Sequence, residues 1–223
     1  MLPGLYSAAA GMLSRLDQQD VIANNLANVN TAGFKRTAAG FSSFSTQLRG
    51  AEAGIPQCAI PFMTAYQDER QGVIQDTGVP TNLALDGPGF FVVQTETGPP
   101  QRIRGGNFRL DSAGYLVNGD GFPVLGQRGP IQVSGTDWSV DSEGNVHSAG
   151  AVVDKLRIDT VAASGASGPT RVAAGSLEAS NVNVIEEMVS MITAMRAYET
   201  CQRVIQAFDQ TLDKAINQMG RIA

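Results

Sequence analysis

The sequence predicts an α+β protein in which long N- and C-terminal helices pack as a coiled-coil-like stalk and flank an antiparallel β-rich middle domain. Apolar residues at alternating three- and four-residue spacing near both ends predict the helices. Short apolar runs divided by glycine-containing turn signals predict the β-rich middle. We expect residues 1–35 and 179–223 to form a helical core, 36–79 an extended arm, and 80–178 a β-rich outer domain.

Composition and charge restrict the class of protein. The chain of 223 residues is 43% hydrophobic and 17% charged, which is typical of a globular chain and not of a disordered one. The formal net charge of -5 argues against nucleic-acid binding, because affinity for a phosphate backbone comes from clustered Lys and Arg. The low charge fits either a protein covered by copies of itself or a low-charge monomer. Two basic pairs are interpreted as solvated surface: Lys35-Arg36 and Arg102 with Arg104.

The first helix is predicted over residues 5–29. Pro3 precedes its first turn and Gly33 follows its end, which are start and stop signals. Its apolar stripe consists of Leu5, Ala9, Met12, Leu16, Ala23 and Leu26, with Gln19 as the one polar member. The segment lacks the basic region of a signal peptide, so we expect a retained helix; if the protein leaves the cytoplasm, something other than a removed secretory signal must export it. No stretch approaches the roughly 20 apolar residues that a membrane span needs.

The second helix is predicted from Val184 to about Met219, on the order of 50 Å at 1.5 Å per residue. Asn183 and Glu186 have the spacing of a capping box. The apolar stripe consists of Val184, Met188, Met191, Met195, Tyr198, Ile205, Leu212, Ile216 and Met219. Gln202 and Asp209 interrupt it, and Cys201 and Phe208, one position earlier in each case, are alternatives for the apolar face there.

Two helices of this kind can bury their stripes against each other and against neighbouring copies. An ordinary intramolecular helical hairpin is the alternative, and composition alone does not distinguish the two. The expected assembly interface consists of Leu5, Met12, Leu16, Leu26, Met188, Met191, Met195, Tyr198, Ile205 and Leu212.

The middle of the chain changes to an alternating pattern. Predicted strands cover residues 90–93, 108–110, 115–117, 152–158 and 171–173, separated by turn signals such as Asn118-Gly119 and Glu143-Gly144. We expect a small sandwich or open barrel. Residues 36–79 are polar with isolated aromatic residues and predict an arm docked on another surface. The Gly- and Ser-rich stretch 162–169 predicts a flexible loop.

The residue types that carry chemistry are scarce. His147 is the only histidine, so no Ser-His-Asp or Cys-His arrangement can form without it, and we expect it on the surface. The two cysteines, Cys58 and Cys201, exclude a disulfide scaffold and a zinc site built from cysteine pairs. We expect Cys201 to be a free buried thiol, while a bond between the two stays open.

Acidic residues do not form a recognisable site either. Asp111, Asp137 and Asp141 are interpreted as turn formers, because none is followed by the alternating oxygen ligands of a calcium loop. No phosphate-binding glycine motif is complete. We therefore expect no catalytic residue, no cofactor, no metal and hence no enzyme.

Three segments resemble one protein family. Residues 23–36 read Ala-Asn-Asn-Leu-Ala-Asn-Val-Asn-Thr-Ala-Gly-Phe-Lys-Arg and closely resemble the N-terminal signature of flagellar basal-body rod and hook proteins. Residues 83–93, and the segment from Glu178 through Glu199, resemble the family's opening β segment and its C-terminal segment. The signature residues are Asn24, Asn25, Leu26, Asn28, Thr31, Gly33 and Phe34. The asparagines are expected to hydrogen-bond the last helical turn, Gly33 to supply a left-handed turn, and Phe34 to anchor the arm.

The resemblance implies a structural subunit of the axial rod, self-assembling through its terminal helices. Its implied partners are copies of itself, other rod subunits and the flagellar type III export apparatus. It would be exported unfolded and assembled in the periplasm, not inserted in a membrane, with the helices forming an inner tube. The short chain and small β domain resemble the proximal-rod subtype more than the distal one, although Lys35-Arg36 and residues 196–199 are shared with distal rods. The alternative is a self-contained periplasmic binding module with a helical hairpin and a β domain.

Overall fold

The structure is a computed structural model that describes residues 2–43, 61–95, 98–133, 138–148, 150–160 and 170–219. The chain divides into two compact units. The helical unit comprises Met1–Ala27, Thr37–Asp68 and Asn183–Ala223, and the β unit comprises Asn28–Arg36 and Glu69–Val182. A helix at each end and a β-rich middle confirm the predicted α+β class. Among the described residues, no helix is apolar over a length sufficient to cross a membrane.

The described residues of the helical unit form two helices and a two-stranded ribbon. Helix α1 covers Leu2–Ala27, and helix α2 covers Val184–Met219, as predicted. Helix α1 begins three residues before its predicted start, because the first helical N–H groups need no partner and Pro3 is tolerated there. Strands β1 (Thr37–Ser43) and β2 (Pro61–Gln67) pair antiparallel. The sequence predicts an extended arm here, because no regular alternation is present; the pairing of the two strands satisfies their backbone groups.

The two helices run antiparallel with a regular register. A Cβ at Gly4 would lie 3.0 Å from the Phe208 ring, and one at Gly11 would lie 3.5 Å from Cys201 Sγ. At the other end of α1, the Asn25 side chain reaches Glu187. From the first contact to the second, both helices advance by seven residues, and from the second to the third by fourteen. The contacts therefore recur at multiples of seven residues.

This register identifies the inner face of α2. Cys201 and Phe208 face α1, as the alternative for the interrupted stripe predicted. Met188, Met195 and Leu212, from the predicted stripe, are exposed instead. Cys201 is free and half-buried. A heptad pattern alone could not choose between these rows, because each row of α2 contains both apolar and polar residues.

The cap of α2 is half of the predicted capping box. Asn183 Oδ1 accepts hydrogen bonds from the backbone N–H groups of Ile185 (3.1 Å) and Glu186 (3.4 Å). Within the described part of the chain, the exposed Glu186 carboxylate returns no bond to Asn183. The neighbouring Glu187, buried to 1% exposure, takes a structural role instead.

The β unit consists of short antiparallel ladders around one core. Its strands are β3 Ile74–Asp76, β4 Leu83–Asp86, β5 Phe90–Val93, β6 Gln101–Ile103, β7 Arg109–Leu110, β8 Leu116–Val117, β9 Trp138–Val140, β10 Asn145–Ser148, β11 Ala151–Lys155, β12 Ile158–Asp159, β13 Arg171–Ala174 and β14 Ser176–Glu178. The ladders are β11-β10-β9, β12-β5-β6, β13-β4, β14-β3 and β7-β8. The described strands thus form sheets of two or three strands rather than the two full sheets of a sandwich.

The core of the β unit gathers apolar residues from most of these ladders. Phe91 and Phe108 meet edge to face, with ring centroids 5.1 Å apart. The buried cluster consists of Leu83, Leu85, Phe91, Val93, Phe108, Leu116, Val124, Ile131, Val133, Val140, Val146, Leu156 and Val172. Burial of this cluster against water is the main stabilising contribution to the unit.

Three turns of the β unit share one hydrogen-bond pattern. In the turns at 111–115, 118–122 and 141–145, the first N–H donates to the fifth carbonyl and the fourth residue is a glycine with positive φ. The Asp111 and Asp141 turns confirm the prediction for those residues. Hydrogen bonds from the side chain and backbone of Asn145, with a smaller contribution from His147, lower the pKa of Asp141 to about 2.

Some sequence predictions lie outside the described residues. These are the state of Cys58, the turn at Asp137, the loop over 162–169, and the contacts of the arm residues Phe44 and Ile60.

Candidate functional site

A buried carboxylate, Glu178, is the centre of the β unit's polar interior. Its Oε1 accepts from Lys35 Nζ at 2.7 Å and from the Gly72 N–H at 2.9 Å. Its Oε2 accepts from Arg104 Nε at 2.6 Å. Lys35, Arg104 and Glu178 are hereafter the ionic cluster. Charge-assisted bonds of this length are stronger than neutral hydrogen bonds, so the carboxylate is held from both sides.

Backbone carbonyls complete the cluster. Arg104 Nη2 donates to the Leu85 and Gly87 carbonyls at 2.9 Å each, and Nη1 donates to the Gly89 carbonyl. Lys35 Nζ also donates to the Arg70 carbonyl at 2.8 Å. These carbonyls satisfy further hydrogen-bond donors of the two buried cations. Arg104 thereby fixes the turn between β4 and β5.

Burial of the two cations contradicts their interpretation as solvated surface. Lys35 is 4% exposed and Arg104 is 7% exposed, whereas Arg102 fits the prediction, with its side chain 55% exposed beside Asp159. The physical reason is that both cations bind the same buried anion, Glu178. This anion lies 143 residues from Lys35 and 74 residues from Arg104 in the chain. In the sequence, Glu178 stands at the start of the C-terminal family segment, but no neighbouring residue indicates that its side chain is buried.

The family signature also joins the C-terminal segment through backbone bonds. The Gly33 N–H donates to the Glu178 carbonyl at 2.7 Å, and the Asn181 N–H donates to the Phe34 carbonyl at 3.4 Å. Asn181 Oδ1 accepts from the Arg36 N–H at 2.6 Å. Residues 33–36 thus lie in the β unit as a strand-like partner of residues 178–181.

The signature residues at the end of α1 act in the helical unit. Asn25 Oδ1 accepts from the Thr37 N–H at 2.9 Å, and Asn25 Nδ2 donates to the Thr37 carbonyl at 2.8 Å and to Glu187 Oε2 at 3.4 Å. Asn25 therefore binds the start of β1 and not the last turn of its own helix, which corrects the expectation. Asn24 is exposed and Leu26 is half-buried.

The remaining signature residues form the turn after α1. Thr31 Oγ1 donates to Asn28 Oδ1 at 3.2 Å, its N–H donates to the Asn28 carbonyl at 3.1 Å, and the Phe34 N–H donates to the Thr31 carbonyl at 3.2 Å. Gly33 has φ 70° and is buried, as the predicted left-handed turn requires.

Gly33→Ala should destabilise the β unit by at least about 2 kcal/mol, because the backbone is left-handed and has no room for a methyl group. A Cβ at this position would lie 2.3 Å from the Gly105 nitrogen. The matched control is Gly78→Ala, where φ is 66° and nothing lies within 4 Å of the added Cβ. Urea unfolding of both variants measures the difference. Equal losses would mean that the close approach to Gly105 contributes nothing.

Two other polar features of the described β unit are a cavity and the surroundings of His147. A shallow cavity of about 250 Å³ is lined by Val29, Asn30, Ala32, Gln75, Thr77, Leu177, Glu178, Ala179 and Ser180. Its one ionisable lining residue is Glu178, which Lys35 and Arg104 already hold. His147 is half-buried, with Nε2 3.4 Å from Asp141 Oδ2. Among the described residues, no group of three or more His, Cys, Asp or Glu is placed to hold a metal ion.

Three family models match the chain. Residues 5–35 match "Flagella basal body rod protein", residues 84–148 match "Flagellar hook protein FlgE/F/G D1 domain", and residues 173–219 match "Flagellar basal body rod FlgEFG protein C-terminal". Each matched region supplies one member of the ionic cluster.

Similar proteins span almost the whole chain. The flagellar basal-body rod protein FlgG of Bacillus subtilis (strain 168) is 31% identical over 262 residues, covering 97% of this chain and 99% of the relative. FlgF of Rhizobium meliloti (strain 1021) is 29% identical over 243 residues, covering 99% of both. FlgF of Escherichia coli (strain K12) is 29% identical over 255 residues, covering 96% and 97%.

Proposed function

Since this chain belongs to the flagellar basal-body rod protein family, we propose that it is a structural subunit of the rod that joins its neighbours through its terminal helices. The family is one of structural rod proteins and not a class of enzymes. The observation that carries the proposal is an outward apolar stripe on α2, which comprises Ile185, Met188, Val189, Ile192 and Met195.

The outward stripe is distinct from the face that packs on α1. Ala194 and Glu187, on the inner face, are almost fully buried, whereas Ile185 is 74% and Ile192 is 51% exposed. The outward residues keep the three- and four-residue spacing of a second helical seam. A contiguous exposed apolar face of this kind is typical of an interaction surface.

The expected interface divides into two groups in this proposal. Met191, Tyr198 and Ile205 are half-buried and support the α1–α2 hairpin. The exposed members contact a neighbouring subunit: Leu16, Met188, Met195 and Leu212. Leu5, Met12 and Leu26 are half-buried on α1, while Tyr6 and Leu13 add exposed apolar surface there. The heptad register of α1 and α2 supports a coiled-coil-like stalk.

Export and partners follow from the family in this proposal. The chain passes unfolded through the flagellar type III export apparatus and assembles in the periplasm. Its partners are copies of itself and other rod subunits, as the names of its relatives suggest.

Within the family we propose the proximal-rod subtype, FlgF, ahead of the distal-rod subtype, FlgG. This subtype proposal rests on the short chain and small β domain, since the alignments with FlgF of Rhizobium meliloti and Escherichia coli span 243 and 255 residues, against 262 for FlgG of Bacillus subtilis, and do not separate the subtypes. The identities, 29% and 31%, do not separate the two.

Electron microscopy of basal bodies from a strain lacking this chain tests both the function and the subtype. A rod that stops near the inner membrane, without hook or filament, is expected for the proximal position. A rod that lacks only its distal part would assign the distal subtype. Normal flagella would contradict the proposed function and favour the self-contained periplasmic binding module.

A further inference from the structure

We propose that the ionic cluster of Lys35, Arg104 and Glu178 is a lock that makes three distant segments of the β unit fold as one. In this proposal the Glu178 carboxylate determines whether residues 33–36 dock on residues 178–181. The inference concerns the folding of the single chain and does not depend on assembly into a rod.

The lock unites segments that are far apart in the chain. Lys35 lies in the segment 28–36, which enters the β unit separately from the rest of it. Arg104 follows β6 and holds the turn between β4 and β5 through three carbonyls. Glu178 ends β14. One carboxylate thus connects the first part, the middle and the last part of the unit.

Because the charged side chains of the ionic cluster are buried, each of them depends on its partners in the cluster. A buried charge that loses its partner is strongly destabilising, because water no longer solvates it. Arg104 and Glu178 are 5% and 1% exposed at their side chains. Docking of any one charged segment is therefore favourable only when the others are in place.

The backbone bonds report on the lock directly. The Gly33 and Asn181 amides donate across the docked segments, to Glu178 and Phe34. The Leu116 and Val124 amides donate within the apolar core, to Ile131 and Leu116. Hydrogen exchange of the full chain can therefore separate opening of the lock from unfolding of the core.

The test compares Glu178→Gln, which removes the charge with little change of shape, with Lys35→Met. For Glu178→Gln we expect exchange at Gly33 and Asn181 to rise by at least about 100-fold, with the Leu116 and Val124 amides much less affected. For Lys35→Met we expect a rise of about 10-fold at the same two amides, since the Arg104–Glu178 pair remains. The double variant should exchange close to Glu178→Gln alone, because the two residues act through one bond.

Three results would overturn the lock. Unchanged exchange at Gly33 in Glu178→Gln would show that the carboxylate does not hold the segment. An equal rise at Gly33 and Val124 would show a contribution to global stability only. A double variant whose effect equals the product of the single effects would show independent residues. If Glu178→Gln fails to fold, Lys35→Met alone still decides between local opening at Gly33 and a uniform rise.

Discussion

Ile192→Asp is expected to abolish incorporation of the chain into the rod while leaving the isolated chain folded. Ile192 lies in the outward stripe of α2 and is half exposed in the single chain, so an aspartate there is solvated before assembly. On assembly the carboxylate would be buried without a partner, at about 3 kcal/mol or more for each contact. The readouts are soft-agar motility and electron microscopy of basal bodies from a deletion strain that expresses the variant.

Gln206→Asp is the matched control for this substitution. Gln206 is exposed on the same helix, two heptads further along the same face. Its substitution by aspartate introduces the same charge as Ile192→Asp. We expect normal rods, because this part of the face is already polar. Normal incorporation of Ile192→Asp would contradict the stripe as a subunit contact. Equal loss in both variants would mean that the effect is not specific to the apolar stripe.

Phe91→Ala is expected to lower the stability of the β unit by about 3–5 kcal/mol, a large part of the total stability of a typical domain. Phe91 is fully buried in the core, and its ring packs edge to face on Phe108. Truncation removes both the buried apolar area and the aromatic contact and leaves a cavity. Urea unfolding followed by the fluorescence of Trp138, the only tryptophan and a neighbour of this core, measures the loss.

Val152→Ala serves as the control for Phe91→Ala. Val152 lies in β11 of the same unit and is 57% exposed, so its truncation should change stability by less than about 0.5 kcal/mol. A loss below about 1 kcal/mol for Phe91→Ala would mean that the core around Phe91 closes over the gap or is not the stabilising centre of the unit.

Local patterns in the sequence determined the elements whose residues are neighbours in the chain. The bounds of α2, the cap at Asn183, strand β5 and the turns at Asp111 and Asp141 all depend on spacing within a few residues. Helix propensity, helix caps and turns depend on neighbouring residues, so the amino-acid sequence is sufficient to find these elements.

Two features could be identified only from the tertiary structure: the ribbon of β1 and β2, and the face of α2 that packs on α1. The ribbon's strands lack a regular alternation of apolar and polar residues, and their pairing with each other makes them regular. Two rows of α2 have the spacing of a seam, and the approach of Gly11 to Cys201 selects one of them. A period shows that a helix has an apolar face, but the partner determines which of two such faces is covered.

The ionic cluster shows the same division most clearly. The three family segments and their order are recognisable in the amino-acid sequence, and Lys35 and Glu178 lie within two of them. That Lys35, Arg104 and Glu178 meet could be seen only in the folded chain, because Glu178 lies 143 residues from Lys35 and 74 from Arg104. A charged side chain is buried or solvated according to whether an opposite charge is brought to it, and that depends on the whole fold.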